Sequence, residues 1–181
     1  MKRPLTLLAV LAILAFCGLP LVLHGGARIN VTSSFPPGIY WVVDKAPEKG
    51  DLVLFCPPES EVFSLAHARG YLAGGPCPGG YMHLLKRLVG TAGDDVAIDA
   101  DGVRVNGQLQ ARSQPLQRDP SGRPMPHPAA ARFRLQDAQV LMLSDYSRLS
   151  FDGRYFGAVP EAQLGEVVEP WLVWQREQSL P

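Results

Sequence analysis

A dominant sign of charge is missing: 17 Lys plus Arg face 17 Asp plus Glu across 181 residues, for a formal net charge of zero. That balance excludes both a basic field for nucleic acid and an acidic tail. Cysteine is scarce at 3 and histidine at 4, and neither an HExxH nor a CxxC spacing occurs, so no metal site and no cofactor is expected. The GxSxG elbow is absent as well, and His67 and His83 stand in undistinguished surroundings, which leaves a Ser/His/Asp triad with weak support. No repeat of solenoid length is visible. The length suits one domain with a core rather than two.

What is present begins with a long hydrophobic run. Pro4 to Leu23 carries no charge, and a helix of that length, at about 1.5 Å per residue, covers the roughly 30 Å of a bilayer's hydrocarbon. Lys2 and Arg3 precede it, so the positive-inside rule sets residues 1–3 in the cytoplasm, 4–23 as a single-pass signal anchor in the inner membrane, and 24–181 in the periplasm. A cleaved signal peptide is the competing reading, because Gly25-Gly26-Ala27 offers small residues at a cleavage site. Cys17 in the run reads as a small hydrophobe. Cys56 and Cys77 are the two remaining cysteines, both in the exported part, and their pairing as a disulfide is expected there.

The exported part reads as mostly antiparallel β. Strands are expected at Gly50 to Phe55, Gln139 to Asp145 and Gly165 to Trp174, and a hairpin over Val96 to Gly107 turning on Asp101-Gly102 in the type I′ manner. Helix formers between a Ser60 cap and the Gly74-Gly75 stop predict a helix within the Cys56 to Cys77 loop. The proline-rich stretch Ser113 to Pro128 reads as an exposed loop without chemistry, its His127 solvated.

Three stretches bear on chemistry: "TSSFPPG" from Thr32, "LLKRLVGTAGD" from Leu84 and "SFDGRYFG" from Ser150. A serine nucleophile needs a group to take its proton, and a lysine serves when burial among apolar side chains strips its charge. Lys86, between Leu84-Leu85 and Leu88-Val89, has neighbours that could supply such a site, although a lysine in a strand ordinarily faces solvent. Arg87 cannot act as a base, because a guanidinium keeps its proton.

In order and wording, these stretches resemble the motif boxes of the type I signal peptidases, membrane-anchored serine proteases with a Ser/Lys dyad. Ser34 is followed three residues on by Pro37, Lys86-Arg87 is followed by Gly93-Asp94, and the last box departs from the family's pattern only in having Gly153 for serine. The first box, with Asn30, Thr32, Ser34, Pro36, Gly38 and Tyr40, looks like the TraF-type branch of conjugative transfer systems.

The resemblance implies a signal-peptidase-like antiparallel β catalytic domain behind one transmembrane helix. It implies Ser34 as nucleophile, Lys86 as general base, and the Thr32 hydroxyl with the Ser34 N–H as oxyanion hole. Ser150 is expected to orient the Lys86 amine, and Asp152 and Arg154 to form an ion pair, with Arg87 and Asp94 as further partners. The implied activity is a serine endopeptidase acting on a membrane-inserted precursor, a pilin of conjugation, with ring closure of the pilin as a second outcome. A general signal peptidase for secretory precursors and a silent, membrane-anchored assembly protein are the alternatives. The expected partners are a pilin-type or signal-peptide-bearing precursor and the lipid bilayer. Phe35, Ile39, Trp41, Trp171 and Trp174 are the candidate residues for the lipid interface, the last two equally candidates for the core.

Overall fold

The computed structural model describes residues 25–128 and 131–174. The predicted anchor at 4–23 lies outside them; among the described residues no helix is long and apolar enough to cross a membrane.

The strands, in chain order, are β1 (Ala27–Asn30), β2 (Gly38–Val43), β3 (Leu52–Phe55), β4 (Leu84–Gly90), β5 (Asp95–Asp99), β6 (Gly102–Val105), β7 (Gln108–Leu109), β8 (Arg132–Arg134), β9 (Gln139–Leu143), β10 (Val159–Pro160) and β11 (Leu164–Val173). Among the described residues two α-helices interrupt them, α1 (Glu61–Ala68) and the single turn α2 (Gly153–Phe156). Seven strands form one sheet in the order β1-β2-β11-β3-β4-β9-β10, and four form a second in the order β7-β6-β5-β8. Every pairing is antiparallel, as expected.

The period of two along β4 explains how the large sheet is built. Leu84 and Leu88 join Val53, Phe55, Phe63, Met142, Phe151 and Tyr155 in the main core, while Leu85 packs on the other face with Phe35, Tyr40 and Val168. Both faces of this central strand are therefore covered. A third cluster, Val96, Ile98, Val103, Val105, Leu135, Leu141 and Leu143, joins the small sheet to β9.

Local expectations fared unevenly. The 96–107 hairpin forms, but Asp99 pairs with Gly102, so the turn is Ala100-Asp101, one residue earlier than expected. Only Gly102 of the anticipated pair has positive φ. The cause is the Asp99 carboxylate, which accepts the N–H groups of Asp101 at 2.9 Å and Gly102 at 3.2 Å and so closes the turn itself. Helix α1 starts after Ser60, as expected, yet stops at Gly70 rather than Gly74-Gly75. Gly70 sits at φ +78°, and the Tyr71 and Gly70 N–H groups return to the carbonyls of Ala66 and His67, a Schellman closure.

The 113–128 stretch forms no strand and half of its residues are exposed, His127 included, as expected, but it is anchored. Ser113, Asp119 and Met125 are buried, and the Asp119 carboxylate takes the Tyr71 hydroxyl and Arg123 Nε at 2.6 Å each. Prolines and polar residues hid that anchoring. The Cys56–Cys77 disulfide is present, with Cα atoms 5.4 Å apart. In the chain-entropy account, closing a loop of this size contributes about 3 kcal/mol. His83 lies near the two sulfurs, but in the disulfide neither is a thiolate that could hold a metal.

Candidate active site

The loop that carries Ser34 joins β1 and β2, and its shape is set by Asn30. The Asn30 side-chain oxygen Oδ1 accepts the Thr32 N–H at 3.1 Å, and its side-chain nitrogen Nδ2 donates to the main-chain carbonyls of Phe35 and Pro36 at 3.1 Å each. The Tyr40 hydroxyl adds a second bond to Pro36 O at 2.7 Å. Pro36 and Pro37 then hand the chain to β2, where a Cβ on Gly38 would stand 2.5 Å from Leu172 O, so only glycine lets β2 and β11 approach. Asn30, Gly38 and Tyr40 were visible as motif letters, but no function could be attached to them without the loop.

Lys86 arrives from the middle of β4, opposite Val53 on β3, and is 1% exposed. Its amine lies 2.8 Å from Ser34 Oγ. The solvent-facing reading of this lysine fails because Leu84, Lys86 and Leu88 share the core face. Burial drives the amine from the ordinary lysine range down to about 8; the Asp152 carboxylate opposes that fall and the Arg154 guanidinium adds to it. Ser34 itself is half-buried.

The loop after β9 closes the site. Ser150 Oγ donates to Ser34 Oγ at 3.3 Å, so in this structure its contact is with the Ser34 hydroxyl rather than with the Lys86 amine. Asp152 and Arg154 form the expected ion pair, bidentate at 2.8 and 2.9 Å, with both residues fully buried. Arg87 and Asp94 do not join them. Arg87 pairs with Asp145 at 2.7 Å, and Asp94 takes Lys49, Asn106 and the Thr91 N–H. Gly153, the one departure from the family's last box, has a steric reason: a Cβ there would lie 2.7 Å from Met142 O and from Leu141 Cδ1. A serine at that position would not fit this backbone.

The Thr32 hydroxyl donates to Asn30 Oδ1 at 2.7 Å, so serving an oxyanion requires it to leave that bond. Ser33 is exposed and touches none of these groups. Beside the site is a cavity of about 280 Å³ whose wall includes Asn30, Thr32, Tyr40, Leu54, Leu85 and Val168. Ser144, on which sequence reasoning placed no weight, donates its hydroxyl to the Ser34 carbonyl at 2.5 Å.

Such an arrangement supports one chemistry. A neutral amine beside a hydroxyl takes its proton as the oxygen attacks a carbonyl carbon, and the Ser150 hydroxyl stabilises charge on that oxygen. The family description "Signal peptidase, peptidase S26" matches residues 3–173. The chain belongs to the S26 signal peptidases. "Plasmid transfer protein TraF" of Escherichia coli is 50% identical over 149 residues, covering 82% of this chain and 84% of that one. "Probable conjugal transfer protein TraF" of Sinorhizobium fredii is 38% identical over 163 residues, covering 88% and 85%. A solved signal peptidase I of Enterococcus faecalis overlaps partly, with TM-score 0.38 and 19% identity, covering 68% of this chain and 97% of that one. Within this S26 chain, the half-buried Ser34 hydroxyl adjoins the buried Lys86 amine.

The amine predicts a pH dependence. A base must be neutral to accept a proton, so with Lys86 in that role acylation of Ser34 by an activated ester should rise with pH through a midpoint near 8 and level off above it. Because the Asp152 charge holds the proton on Lys86, Asp152→Asn moves that midpoint to lower pH. A profile flat from pH 6 to 9 would exclude Lys86 as the base.

Proposed function

We propose that this chain is a membrane-anchored serine endopeptidase that cleaves a membrane-inserted precursor, the pilin of a conjugative transfer system, at the periplasmic face of the inner membrane. The observation that carries the reading is the 2.8 Å contact between Ser34 Oγ and a fully buried Lys86 amine depressed to about 8. A silent assembly protein has no need of such an amine, since burying it costs stability.

In the proposed cycle, Lys86 accepts the Ser34 proton and Oγ attacks the scissile carbonyl. The oxyanion is met by the Ser34 N–H and a turned Thr32 hydroxyl. Protonated Lys86 gives its proton to the leaving amine, which frees an acyl-enzyme. Water then yields a linear product, and a chain amine yields a ring. The cavity beside Thr32 and Leu85 receives a substrate side chain.

The transfer-system reading is supported by the chain's similarity to the plasmid and conjugal transfer proteins TraF. Support for the membrane comes from exposed apolar residues: Trp171 is 65% exposed, and Trp41, Leu172 and Trp174 are exposed with it. Trp41 and Trp171 meet edge to face at 6.0 Å. Phe35, by contrast, is buried against Tyr146 and belongs to the core.

Coexpression of the pilin precursor with the wild type and with Ser34→Ala, read by mass spectrometry, tests the proposal. A mature product only with wild type supports it, and a mass lower by about 18 Da, one water, marks ring closure. Unchanged pilin together with cleavage of a secretory precursor would replace the substrate; no cleavage of either would overturn the enzyme.

A further inference from the structure

Ser34 can attack only if its Cα–Cβ bond points at Lys86, and that direction is fixed by the backbone on either side of it. Asn30 anchors the carbonyls of Phe35 and Pro36 and, at 3.4 Å, that of Thr32. Trp174 N–H holds the carbonyl of Pro37 at 3.1 Å. The carbonyl of Ser34 itself is left to a residue distant in sequence, Ser144, on the strand-to-helix connection between β9 and α2.

The Ser144 hydroxyl has one proton and two lone pairs. The lone pairs accept the N–H groups of Ser147 at 3.0 Å and Tyr146 at 3.3 Å, which leaves the proton aimed at Ser34 O, 2.5 Å away. Ser144 cannot drift. Its N–H donates to Asp152 Oδ2 at 2.9 Å, its carbonyl accepts Arg154 Nη2 at 3.1 Å, and the residue is fully buried. The buried ion pair thus holds Ser144, and Ser144 holds the nucleophile's backbone.

We infer that Ser144 is a positioning residue for the Ser/Lys reaction: it touches no reacting atom, but its hydroxyl pins the Ser34 carbonyl so that Oγ stays on the Lys86 amine. This rests on the dyad reading given above. Ser144 acts on geometry and leaves the surroundings of the amine intact.

The test compares Ser144→Ala with Ser113→Ala. Ser113 is an equally buried serine whose hydroxyl bonds the Val103 N–H at 2.8 Å and Gln110 O at 2.7 Å in the small sheet, so it controls for the loss of a buried hydroxyl. Ester acylation of Ser34, precursor kcat and KM, the pH midpoint and the melting temperature are measured for each. Ser144→Ala should lose about tenfold or more in acylation rate and in kcat, with KM and the midpoint near 8 unchanged, while Ser113→Ala keeps the wild-type rates. Wild-type acylation in Ser144→Ala, or equal losses in both variants that follow their melting temperatures, would overturn the inference. Should Ser144→Ala not fold, Ser144→Gly removes the same hydroxyl and must show the same loss. Ester acylation does not depend on the precursor, so a wrong substrate and a wrong role for Ser144 give different results.

Discussion

Replacing Lys86 with methionine abolishes precursor cleavage and, at pH 7, raises the melting temperature. The first effect follows from removing the base: general-base catalysis is worth about 10² to 10⁴ in rate, and a serine with no base at 2.8 Å has little else to activate it. The second follows from what it takes to bury an amine. Holding Lys86 near 8 instead of about 10.4 corresponds to roughly 3 kcal/mol of destabilisation at neutral pH. Methionine has similar volume, no charge, and suits a strand flanked by Leu84 and Leu88. Losing the bond to Ser34 returns about 1 kcal/mol. The balance of about 2 kcal/mol is worth roughly 5 °C for a chain of this size.

The sign is set by linkage. Lys86 has a lower proton affinity folded than unfolded, so wild-type stability climbs with pH from about 8 towards 10.4, and the advantage of the variant is full below 8 and shrinks across that window. Thermal melts at pH 7 and pH 10, beside a cleavage assay, read both effects. Ser34→Ala should match the loss of cleavage but not the gain in stability. A less stable Lys86→Met at pH 7 would mean that the amine is not desolvated.

Legibility in the sequence followed the range of the physics involved. The dyad and the Asp152–Arg154 pair were legible through the resemblance of their motif boxes to the signal peptidases, because the surroundings of Lys86 taken alone are those of an ordinary strand lysine. Strands β3, β9 and β11 of the large sheet were legible as short apolar runs, and β9 is buried at four successive positions. What escaped depends on side chains reaching back. The hairpin turn is set by the Asp99 carboxylate, not by the Asp101-Gly102 dipeptide. The 113–128 stretch is held by Tyr71, far away in the chain. Ser144 gains its place only when the β9-to-α2 connection folds onto the nucleophile loop, and nothing near it in sequence marks that.

Asp152→Ala should destabilise the domain by about 3 to 5 kcal/mol, the usual consequence of stranding one member of a buried ion pair. Arg154 is 0% exposed, and two of its five donors bond the Asp152 carboxylate. The others go to main-chain carbonyls of Arg112, Gln114, Arg148 and Ser144, dipoles that orient the guanidinium but do not neutralise it. Asp152 also caps α2 through the Arg154 N–H and holds the Ser144 N–H, so alanine orphans two further contacts at once. The drop in melting temperature should be on the order of 10 °C. In a double-mutant cycle, Asp152→Ala with Arg154→Met should be well short of the sum of the single losses, because the second change removes the stranded charge. Additive losses would show that the two residues stabilise the fold separately. Melts of the two single variants and the double decide it, and a change under 1 °C in Asp152→Ala would rule out the pair as the support on which Ser144 and the nucleophile loop rest.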